Sequence, residues 1–418
     1  MIKDRRMFMK WIAAAPVWAA VAWQNLSRNL SAATKSGSNV YELIGVRPLI
    51  NARGTWTYLS GSLVLPEVRQ AMDAASRQFV DMFELQTAVG KRLAALSGAE
   101  SGMITSGSAG AMAAATAACI AGSDPTKIWQ LPDAGLKNEV IMLGGRIAFD
   151  SAIRLTGAKL VVVKDLEELR AAIHAQTAMV YTTWRDDKLQ KALAITKSAN
   201  IPLLLDDAAG IPPFENLSRY AKLGVDLYCF SGGKGMRGPQ CAGVLLGRKD
   251  LIDAALKNYN PYEGSICRAM KVGKEEIIGM LTAIETWQKI DMDSLNREWN
   301  ARVQRIAKLV ETVPGVTAKI YVPEGGNSYP TLKVMWDEQK FGLTVAQCDE
   351  QLRAGEPRIE VLTNRNPSMV AAVEEGSGGK HDAPANRLEI VSMTLQDGED
   401  LVLGRRLREI LSAARGKG

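Results

Sequence analysis

Short apolar runs alternate with stretches of helical spacing over the first part of the chain. Helical patterns cover residues 66–79, 85–97 and 109–120. Seven apolar runs bounded by polar residues predict buried strands. They are residues 102–105, 139–143, 159–163, 178–183, 202–206, 227–230 and 242–246. Because strands that alternate with helices form parallel sheets covered on both faces, we predict a large α/β domain around a seven-stranded, mainly parallel sheet.

The pattern changes after Leu251. A long helical tract over about residues 274–313 precedes four further apolar runs and two helices. The runs are 317–322, 331–336, 359–362 and 387–393, and the helices are 344–353 and 398–414. This mixture predicts a smaller α+β domain. We therefore expect an N-terminal segment and large domain at 37–262, and a linker helix and small domain at 263–418. Residues 364–385 are polar and glycine-rich, which is typical of a mobile loop such as an active-site lid.

The N-terminus has the pattern of an export signal. Arg5 and Arg6 precede an apolar run over residues 11–22 that ends in Ala20-Val21-Ala22. The run is too short for a helix that crosses a bilayer core, which takes about 20 residues. These features resemble a twin-arginine signal. We expect residues 1–36 to be signal and linker, and the protein to be periplasmic with no stable membrane span after signal removal. The alternative is an ordinary amphipathic helix on a cytoplasmic protein.

Composition narrows the function classes. The chain has 418 residues, 23% charged and 47% hydrophobic, which excludes a disordered or fibrous chain. Residues 1–10 carry four basic side chains and one acid, so they supply +3 of the net charge of +6. The remainder shows no basic stripe, so we expect no nucleic-acid partner. Five cysteines without a CxxC pair and only two histidines argue against a disulfide framework, a metal site and a Ser–His–Asp hydrolase.

Two features place candidate ligand-binding groups at strand ends. Ser106, Gly107 and Ser108 follow a predicted strand and open an alanine-rich helix, where exposed N–H groups favour a phosphate. The same residue types are also ordinary helix caps. Asp206 ends the apolar run 202–206, and Ala208 lies two residues on. A carboxylate at the carboxyl end of a strand faces the ligand crevice of an open α/β sheet, although acids also cap strand ends.

The third feature is a lysine among glycines. Lys234 lies in Ser231-Gly232-Gly233-Lys234-Gly235, directly after a predicted strand. A surface lysine does not need such neighbours, whereas one bonded to a planar ring needs close backbone approach. Residues 233–238 also match GxGxxG, but Pro239 and an apolar run follow where a dinucleotide site requires a helix. No GxxxxGK[ST] is present, which excludes a P-loop.

Together, the phosphate turn, the strand-end aspartate and Ser-x-x-Lys resemble the fold-type-I pyridoxal 5'-phosphate (PLP) enzymes. Further stretches make the resemblance more specific. They are residues 49–55, 99–100, 131–140 and 230–240. They are similar to the selenocysteine synthase-like family, and most to its D-glucosaminate-6-phosphate ammonia-lyase-like branch. The resemblance covers about residues 41–415, and residues 231–240 are its most specific part.

The resemblance implies roles for individual residues. Lys234 would bind PLP covalently and then act as the base at the substrate α-carbon. Asp206 would pair with the pyridine nitrogen, and a protonated ring is the better electron sink. Ala208 would pack against the ring. The phosphate would be held by the turn that contains Ser106, Gly107 and Ser108, together with Ser231.

One position departs from the pattern, and two are weaker candidates. Arg146 stands where close relatives carry a histidine, so Arg146 or Phe149 would contact the cofactor. This substitution puts the reaction type in question more than the cofactor. Arg268 and Arg358 are candidates for binding a substrate carboxylate, against the alternative that each is simply solvated.

The implied reaction is α,β-elimination from an amino acid or amino sugar acid, which gives a 2-keto acid and ammonia. The same first steps also serve β-replacement, as in a selenocysteine synthase-like transferase, as well as racemisation and transamination. A catalytically inactive exported protein with this fold is a further alternative. The resemblance also implies a homodimer or higher homo-oligomer with active sites at the interface.

Overall fold

A computed structural model describes residues 39–133, 135, 137–365 and 387–415. The predicted signal at residues 1–36 and nearly all of the predicted loop at 364–385 lie outside the described residues. Within the described ranges, no helix is long and apolar enough to cross a membrane.

Twelve strands and fourteen α-helices are present in the described residues. The strands are β1 Leu49–Ala52, β2 Ser101–Thr105, β3 Glu139–Leu143, β4 Lys159–Val163, β5 Thr177–Thr182, β6 Leu203–Asp206, β7 Leu227–Ser231, β8 Gly243–Gly247, β9 Thr317–Tyr321, β10 Thr331–Met335, β11 Arg358–Val361 and β12 Leu388–Val391. The helices are α1 Pro66–Ser76, α2 Met82–Ser97, α3 Gly107–Ala121, α4 Pro125–Gln130, α5 Ser151–Arg154, α6 Leu166–Ala172, α7 Asp187–Ser198, α8 Asn216–Leu223, α9 Lys249–Lys257, α10 Lys274–Trp287, α11 Met292–Val310, α12 Glu338–Phe341, α13 Val345–Ala354 and α14 Glu399–Arg415.

The large sheet has the strand order β2-β8-β7-β6-β5-β3-β4. Only β8 is antiparallel to its neighbours β2 and β7, and the other neighbouring pairs are parallel. The predicted seven-stranded, mainly parallel sheet is therefore confirmed, and each predicted strand is found within about one residue of its observed bounds. The strands at its centre are fully buried, as expected of a sheet covered on both faces.

This strand order brings three strand ends to one edge. Since β8 runs antiparallel to both β2 and β7, the strands β2, β7 and β6 run in the same direction. Their carboxyl ends are Thr105, Ser231 and Asp206. Helix α3 starts directly after β2, and its alanines other than Ala109 are buried against the sheet. The topology thus places the phosphate turn, the aspartate and the lysine turn at the same edge, where α/β sheets bind ligands.

A second core holds the C-terminal part together. Strands β12, β10 and β9 form an antiparallel sheet, and β1 pairs in parallel with β11. Ile50 and Ala52 of β1 are buried with side chains of α11, α13 and α14. The predicted boundary at residue 262 stays a prediction, but strand β1 connects the N-terminal segment to the C-terminal core. The sequence analysis did not predict this strand.

The helical tract predicted over residues 274–313 is two helices. Helix α10 ends at Trp287 and α11 begins at Met292. The Asp291 carboxylate accepts hydrogen bonds from the N–H groups of Asp293 and Ser294, at 3.0 and 3.1 Å. An aspartate in this position caps a new helix, which explains the break.

Glu360 of β11 is the centre of a buried charge cluster. Its side chain is fully buried and pairs with Arg353, Arg358 and Arg365. Burial alone would raise the pKa of this carboxyl, but the three guanidinium groups outweigh burial and hold the pKa below its usual value. The ionised form of Glu360 therefore stabilises the small domain.

We predict that Glu360→Gln lowers the free energy of unfolding by about 3 kcal/mol at pH 7, because it leaves three guanidinium groups without their shared anion. The parent protein gains this stability above the ordinary glutamate pKa of 4.5 and loses it as the pH falls below that value. The difference between the two proteins in urea denaturation should therefore shrink in acid.

The exposed pair of Arg47 and Glu356 provides the control. Glu356→Gln should change the free energy of unfolding by less than about 1 kcal/mol. An equal effect of the two substitutions at pH 7 would contradict the role assigned to Glu360.

Candidate active site

Asp206 is held rigidly at the end of β6. The residue is 6% exposed, and both carboxylate oxygens accept hydrogen bonds, with the Cys229 thiol as a further donor to Oδ1 at 3.8 Å. The Tyr181 hydroxyl donates to Oδ2 at 2.8 Å, and the Ala208 N–H donates to Oδ1 at 3.0 Å. Burial, followed by the charge of Asp206, raises the pKa of Tyr181, so this hydroxyl stays protonated and donates. A carboxylate oxygen can accept more than one hydrogen bond, so Asp206 retains capacity for a cationic partner.

Lys234 lies close to this carboxylate in a partly buried position. Burial lowers the pKa of Lys234, because the ammonium form loses hydration, and the charge of Asp206 partly opposes this effect. The Phe149 ring centroid is 5.9 Å from Nζ. A lysine in these surroundings is a better nucleophile and base near neutral pH than one in water.

Glycines around Lys234 are required by the packing of the protein itself. A Cβ atom on Gly233 would lie 2.0 Å from Oε1 of Gln240, and one on Gly235 would lie 2.2 Å from the carbonyl oxygen of Ile211. The sequence analysis attributed these glycines to close approach of a ligand. The structure gives a different physical reason, since the turn itself lies against neighbouring protein atoms.

The turn at residues 106–108 has features that fit a phosphate. Gly107 has φ +70°, and the position of its missing Cβ is open space. The Ser108 hydroxyl is buried and has no hydrogen-bond partner in the described part of the chain. Ser106 is different, because its hydroxyl accepts a hydrogen bond from the Tyr259 hydroxyl at 2.8 Å. A buried hydroxyl without a partner costs free energy, so Ser108 fits an anion-binding role better than Ser106 does.

Ser231 and Ala208 connect the two strand ends. The N–H of Ser231 donates to the carbonyl oxygen of Ala208 at 3.1 Å. Since the N–H of Ala208 itself donates to Asp206, a continuous hydrogen-bonded path runs from β7 to the carboxylate. The structure thus brings Asp206, Ala208, Ser231 and Lys234 together.

Lys234 opens into a cleft between the two domains, with a volume of about 420 Å³. The small domain contributes polar side chains to its wall, among them Tyr321, Asn327, Arg387 and Glu389. Arg53 and Phe149 line the cleft as well. The sequence analysis assigned no site role to Arg53 or Arg387. Arg53 stands in the stretch 49–55 that carries the family resemblance, and that position was the available signal.

A loop of the small domain is bound to the edge of the large sheet. Arg185 pairs with the fully buried Asp207 and also donates to the carbonyl oxygen of Gly325. The N–H of Asn327 donates to the carbonyl oxygen of Ala209 at 2.9 Å. These bonds hold residues 325–327 of the small domain against the backbone that directly follows Asp206. They therefore fix the distance between the two walls of the cleft at this point.

Three arginines that the sequence suggested do not line this cleft. Arg146 pairs with Asp150, which raises the pKa of Arg146, while Phe149 occupies the place beside Lys234. Arg358 pairs with the buried Glu360. Arg268 is partly buried in a turn between α9 and α10 and lines none of the cleft within this chain. Their predicted ligand contacts stay predictions.

Comparison with known proteins shows which proteins this chain is similar to. Residues 152–335 match the model of the aminotransferase class-V family. The chain is 32% identical over 346 residues to 5'-C-glycyluridine monooxygenase-decarboxylase of Streptomyces sp, covering 78% of this chain and 84% of that one. It is 29% identical over 394 residues to D-glucosaminate-6-phosphate ammonia lyase of Salmonella typhimurium (strain 14028s / SGSC 2262), covering 90% and 99%.

More distant similarity extends to L-seryl-tRNA(Sec) selenium transferase of Moorella thermoacetica, with 22% identity over 88% of this chain and 83% of that one. A solved structure of D-glucosaminate-6-phosphate ammonia-lyase matches with a TM-score of 0.74 and 28% identity. That match covers 90% of this chain and 99% of the other.

We predict that Asp206→Asn lowers the pKa of Lys234 further, because it removes the negative charge that favours the ammonium form. Only the neutral amine reacts with an acylating reagent. In cofactor-free protein, the pH at which Lys234 is labelled at half its maximal rate should therefore fall, as measured by peptide mass spectrometry. Labelling of the exposed Lys91 in the same digest serves as the control. A shift to higher pH would refute the assigned electrostatics.

Proposed function

Because this chain belongs to the selenocysteine synthase-like family of fold-type-I PLP-dependent enzymes, we propose that it is a PLP-dependent lyase. Its substrate would be an amino acid or amino sugar acid with a hydroxyl on the β-carbon. The substrate loses the α-proton and the β-hydroxyl, and water then releases a 2-keto acid and ammonia. The observation that carries the proposal is that Lys234 lines the interdomain cleft and lies within the electrostatic influence of Asp206, in a fold similar to that of an ammonia-lyase.

The residues present fit the cofactor. Lys234 would bind PLP covalently, and Asp206 would pair with the ring nitrogen. Gly107, Ser108 and Ser231 would hold the phosphate, which would give the orphaned Ser108 hydroxyl a partner. PLP in this site supplies an electron sink for negative charge at the substrate α-carbon.

The side chains around the cleft would transfer the proton and bind the substrate. The Nζ of Lys234, with its pKa lowered by burial, accepts the proton of the α-carbon. The Phe149 ring lies beside Nζ, where it would be in a position to contact the cofactor. Arg387, at 3.2 Å from Glu389, is the candidate for binding the substrate carboxylate, because it lines the cleft with Lys234. Within one chain, Arg387 thus takes the carboxylate-binding role that the sequence analysis gave to Arg268 and Arg358.

We predict that the purified protein with added PLP shows a visible absorbance band that borohydride removes, and that Lys234→Ala lacks this band. Lys222, which is also followed by a turn but lies outside the cleft, provides a matched control, and Lys222→Ala should keep the band. Absence of a band in the parent protein would refute the cofactor and with it the proposed reaction.

The reaction is tested by measuring ammonia release and oxygen uptake together on a panel of β-hydroxy amino acids and amino sugar acids. The lyase releases one ammonia per substrate without oxygen or an acceptor. Oxygen uptake would instead favour a reaction of the kind named for the Streptomyces relative. Turnover that requires an added thiol or keto acid would favour replacement or transamination.

We also propose that the protein is a homodimer. Aromatic and aliphatic side chains are exposed around the start of α2, namely Phe79, Val80, Phe83 and Tyr262. The rings of Phe83 and Tyr262 are in edge-to-face contact, with centroids 4.8 Å apart. An apolar patch of this kind is typical of an interaction surface, and the family resemblance favours a second copy as its partner.

We predict that the double substitution Phe79→Asp and Phe83→Asp halves the mass measured by light scattering, because it places charges in an apolar contact. Val162 is an exposed apolar residue on β4, at the opposite edge of the sheet from β2. Val162→Asp should therefore leave the mass unchanged. A parent protein that is already monomeric would overturn the proposal.

Export to the periplasm remains a proposal that rests on Arg5, Arg6 and the apolar run that follows. Fractionation of cells that express the full chain tests it. Recovery of the protein only in the cytoplasm would contradict export.

A further inference from the structure

The side chain of Asn327 is a hydrogen-bond donor on the wall of the cleft. The residue is exposed and lines the cleft together with Lys234. Its Oδ1 accepts a hydrogen bond from the Tyr329 hydroxyl at 2.8 Å, whereas its Nδ2 has no hydrogen-bond partner among the described residues. A carboxamide accepts through its oxygen and donates through its nitrogen. Since the oxygen is already bonded, the group that Asn327 offers to a ligand is its NH₂.

Tyr329 fixes this orientation of the amide. Tyr329 is 2% exposed, and its ring packs edge-to-face against Trp299 with centroids 5.9 Å apart. Burial raises the pKa of Tyr329, so its hydroxyl stays protonated, and a hydrogen bond from the Thr55 side chain partly opposes this rise. Because the hydroxyl accepts from Thr55, its single proton is available for Oδ1 of Asn327. The hydrogen bonds from Thr55 to Asn327 thus all run in one direction.

The backbone around Asn327 has an unusual conformation. Gly325, Gly326 and Asn327 have φ values of +83°, +113° and +52°, all in the left-handed region. Asparagine tolerates this region partly because its side chain can bond to the nearby backbone. Here the side chain bonds to the Tyr329 hydroxyl instead. A glycine would satisfy the backbone, so the backbone conformation alone does not explain the amide.

Arg185 anchors the loop at residues 325–327 to the large domain. Its guanidinium group pairs with the fully buried carboxylate of Asp207 and donates to the carbonyl oxygen of Gly325. The Tyr220 hydroxyl donates to Oδ2 of Asp207 at 2.6 Å, so the anion that holds Arg185 is itself fixed. Arg185 is not among the described residues that line the cleft. It therefore acts on a ligand through the loop that it holds, and not by contact.

The neutral amide of Asn327 suits a different part of a ligand from the cationic groups of the cleft. Arg387 and the ammonium form of Lys234 favour a carboxylate, because their hydrogen bonds are charge-assisted. An amide N–H instead forms a hydrogen bond of ordinary strength with a neutral oxygen, and it leaves no unpaired charge. Asn327 therefore fits a hydroxyl oxygen of a ligand that reaches Lys234.

We propose that Asn327 is a substrate-binding residue whose NH₂ donates to a hydroxyl oxygen of the substrate, and that Arg185 is the positioning residue that holds it there. The inference deepens the proposed function and rests on it, since the substrate must reach Lys234 in the same cleft. The hydroxyl is either the one on the β-carbon or one further along the carbon chain, and the experiment distinguishes the two.

The test is a titration of the PLP-loaded protein with alanine, serine and 2-amino-2-deoxygluconate, followed by the change in PLP absorbance. Asn327→Gly removes the amide, and glycine keeps the left-handed backbone. We expect this variant to weaken binding of a hydroxylated ligand about fivefold or more, while binding of alanine and the absorbance without ligand stay unchanged. Weaker binding of serine identifies the β-hydroxyl. An effect confined to 2-amino-2-deoxygluconate identifies a later hydroxyl.

Arg185→Gln should weaken binding of the same ligand, and it should have no further effect in Asn327→Gly, because Arg185 acts through Asn327. Arg185→Lys retains the charge beside Asp207 and should restore part of the affinity. Hydrogen–deuterium exchange at residues 323–329 should rise in Arg185→Gln. Arg219 provides the matched control, since it is exposed, donates to the Arg185 carbonyl oxygen at 3.0 Å and does not line the cleft. Arg219→Gln should equal the parent in both measurements.

Melting curves establish that each variant is folded. Absence of the PLP band in the parent refutes the proposed function, and this inference with it. If the band forms, the inference alone is overturned when none of the three ligands changes it, when Asn327→Gly binds the hydroxylated ligands as the parent does, or when it weakens binding of alanine equally. Additive effects of Arg185→Gln and Asn327→Gly would overturn the role of Arg185.

Discussion

The fixed carboxylate of Asp206 is the constraint on which the site depends. It lies inside the molecule with donors on both oxygens, and one of these donors is the N–H two residues further along the chain. Its position follows from the parallel pairing of β6 with β7, which also sets where the lysine turn begins. The charge of Asp206 in turn partly opposes the lowering of the pKa of Lys234 by burial.

Periodicity and strand-end chemistry were sufficient to predict the large sheet, Asp206 and Lys234. These features are local in sequence, because a buried strand and the residue at its end are adjacent in the chain. The pairing of β1 with β11 could not be predicted in this way, since it joins Leu49–Ala52 to Arg358–Val361 across some three hundred residues. Arg387 in the cleft was missed for the same reason, as only the folded small domain brings it towards Lys234.

The arginines show where residue type is a poor guide. Arg268 and Arg358 were singled out because guanidinium groups bind carboxylates, and Arg146 because it stands where close relatives carry a histidine and was expected to contact the cofactor. Two of them instead bind carboxylates of the protein itself, Asp150 and Glu360. The sequence does not distinguish an arginine that binds a ligand from one that pairs with an acid of the protein, because the guanidinium group is the same in both. The distinction depends on whether the side chain reaches the cleft, as Arg387 does although it also pairs with Glu389, and that is a property of the tertiary structure.

Strand β1 has a consequence for how the chain assembles during synthesis. The strands of the large sheet are complete once residue 247 has been made, so this sheet has all of its partners early. The second core, by contrast, combines Ile50 and Ala52 with side chains as late as Leu411. Strand β1, the first of the described strands, therefore obtains its partners only after α14, the last of the described helices, has been made, so its apolar residues lack their final partners for most of translation. A chain that stops short of α14 would leave both its first strand and its small domain incomplete.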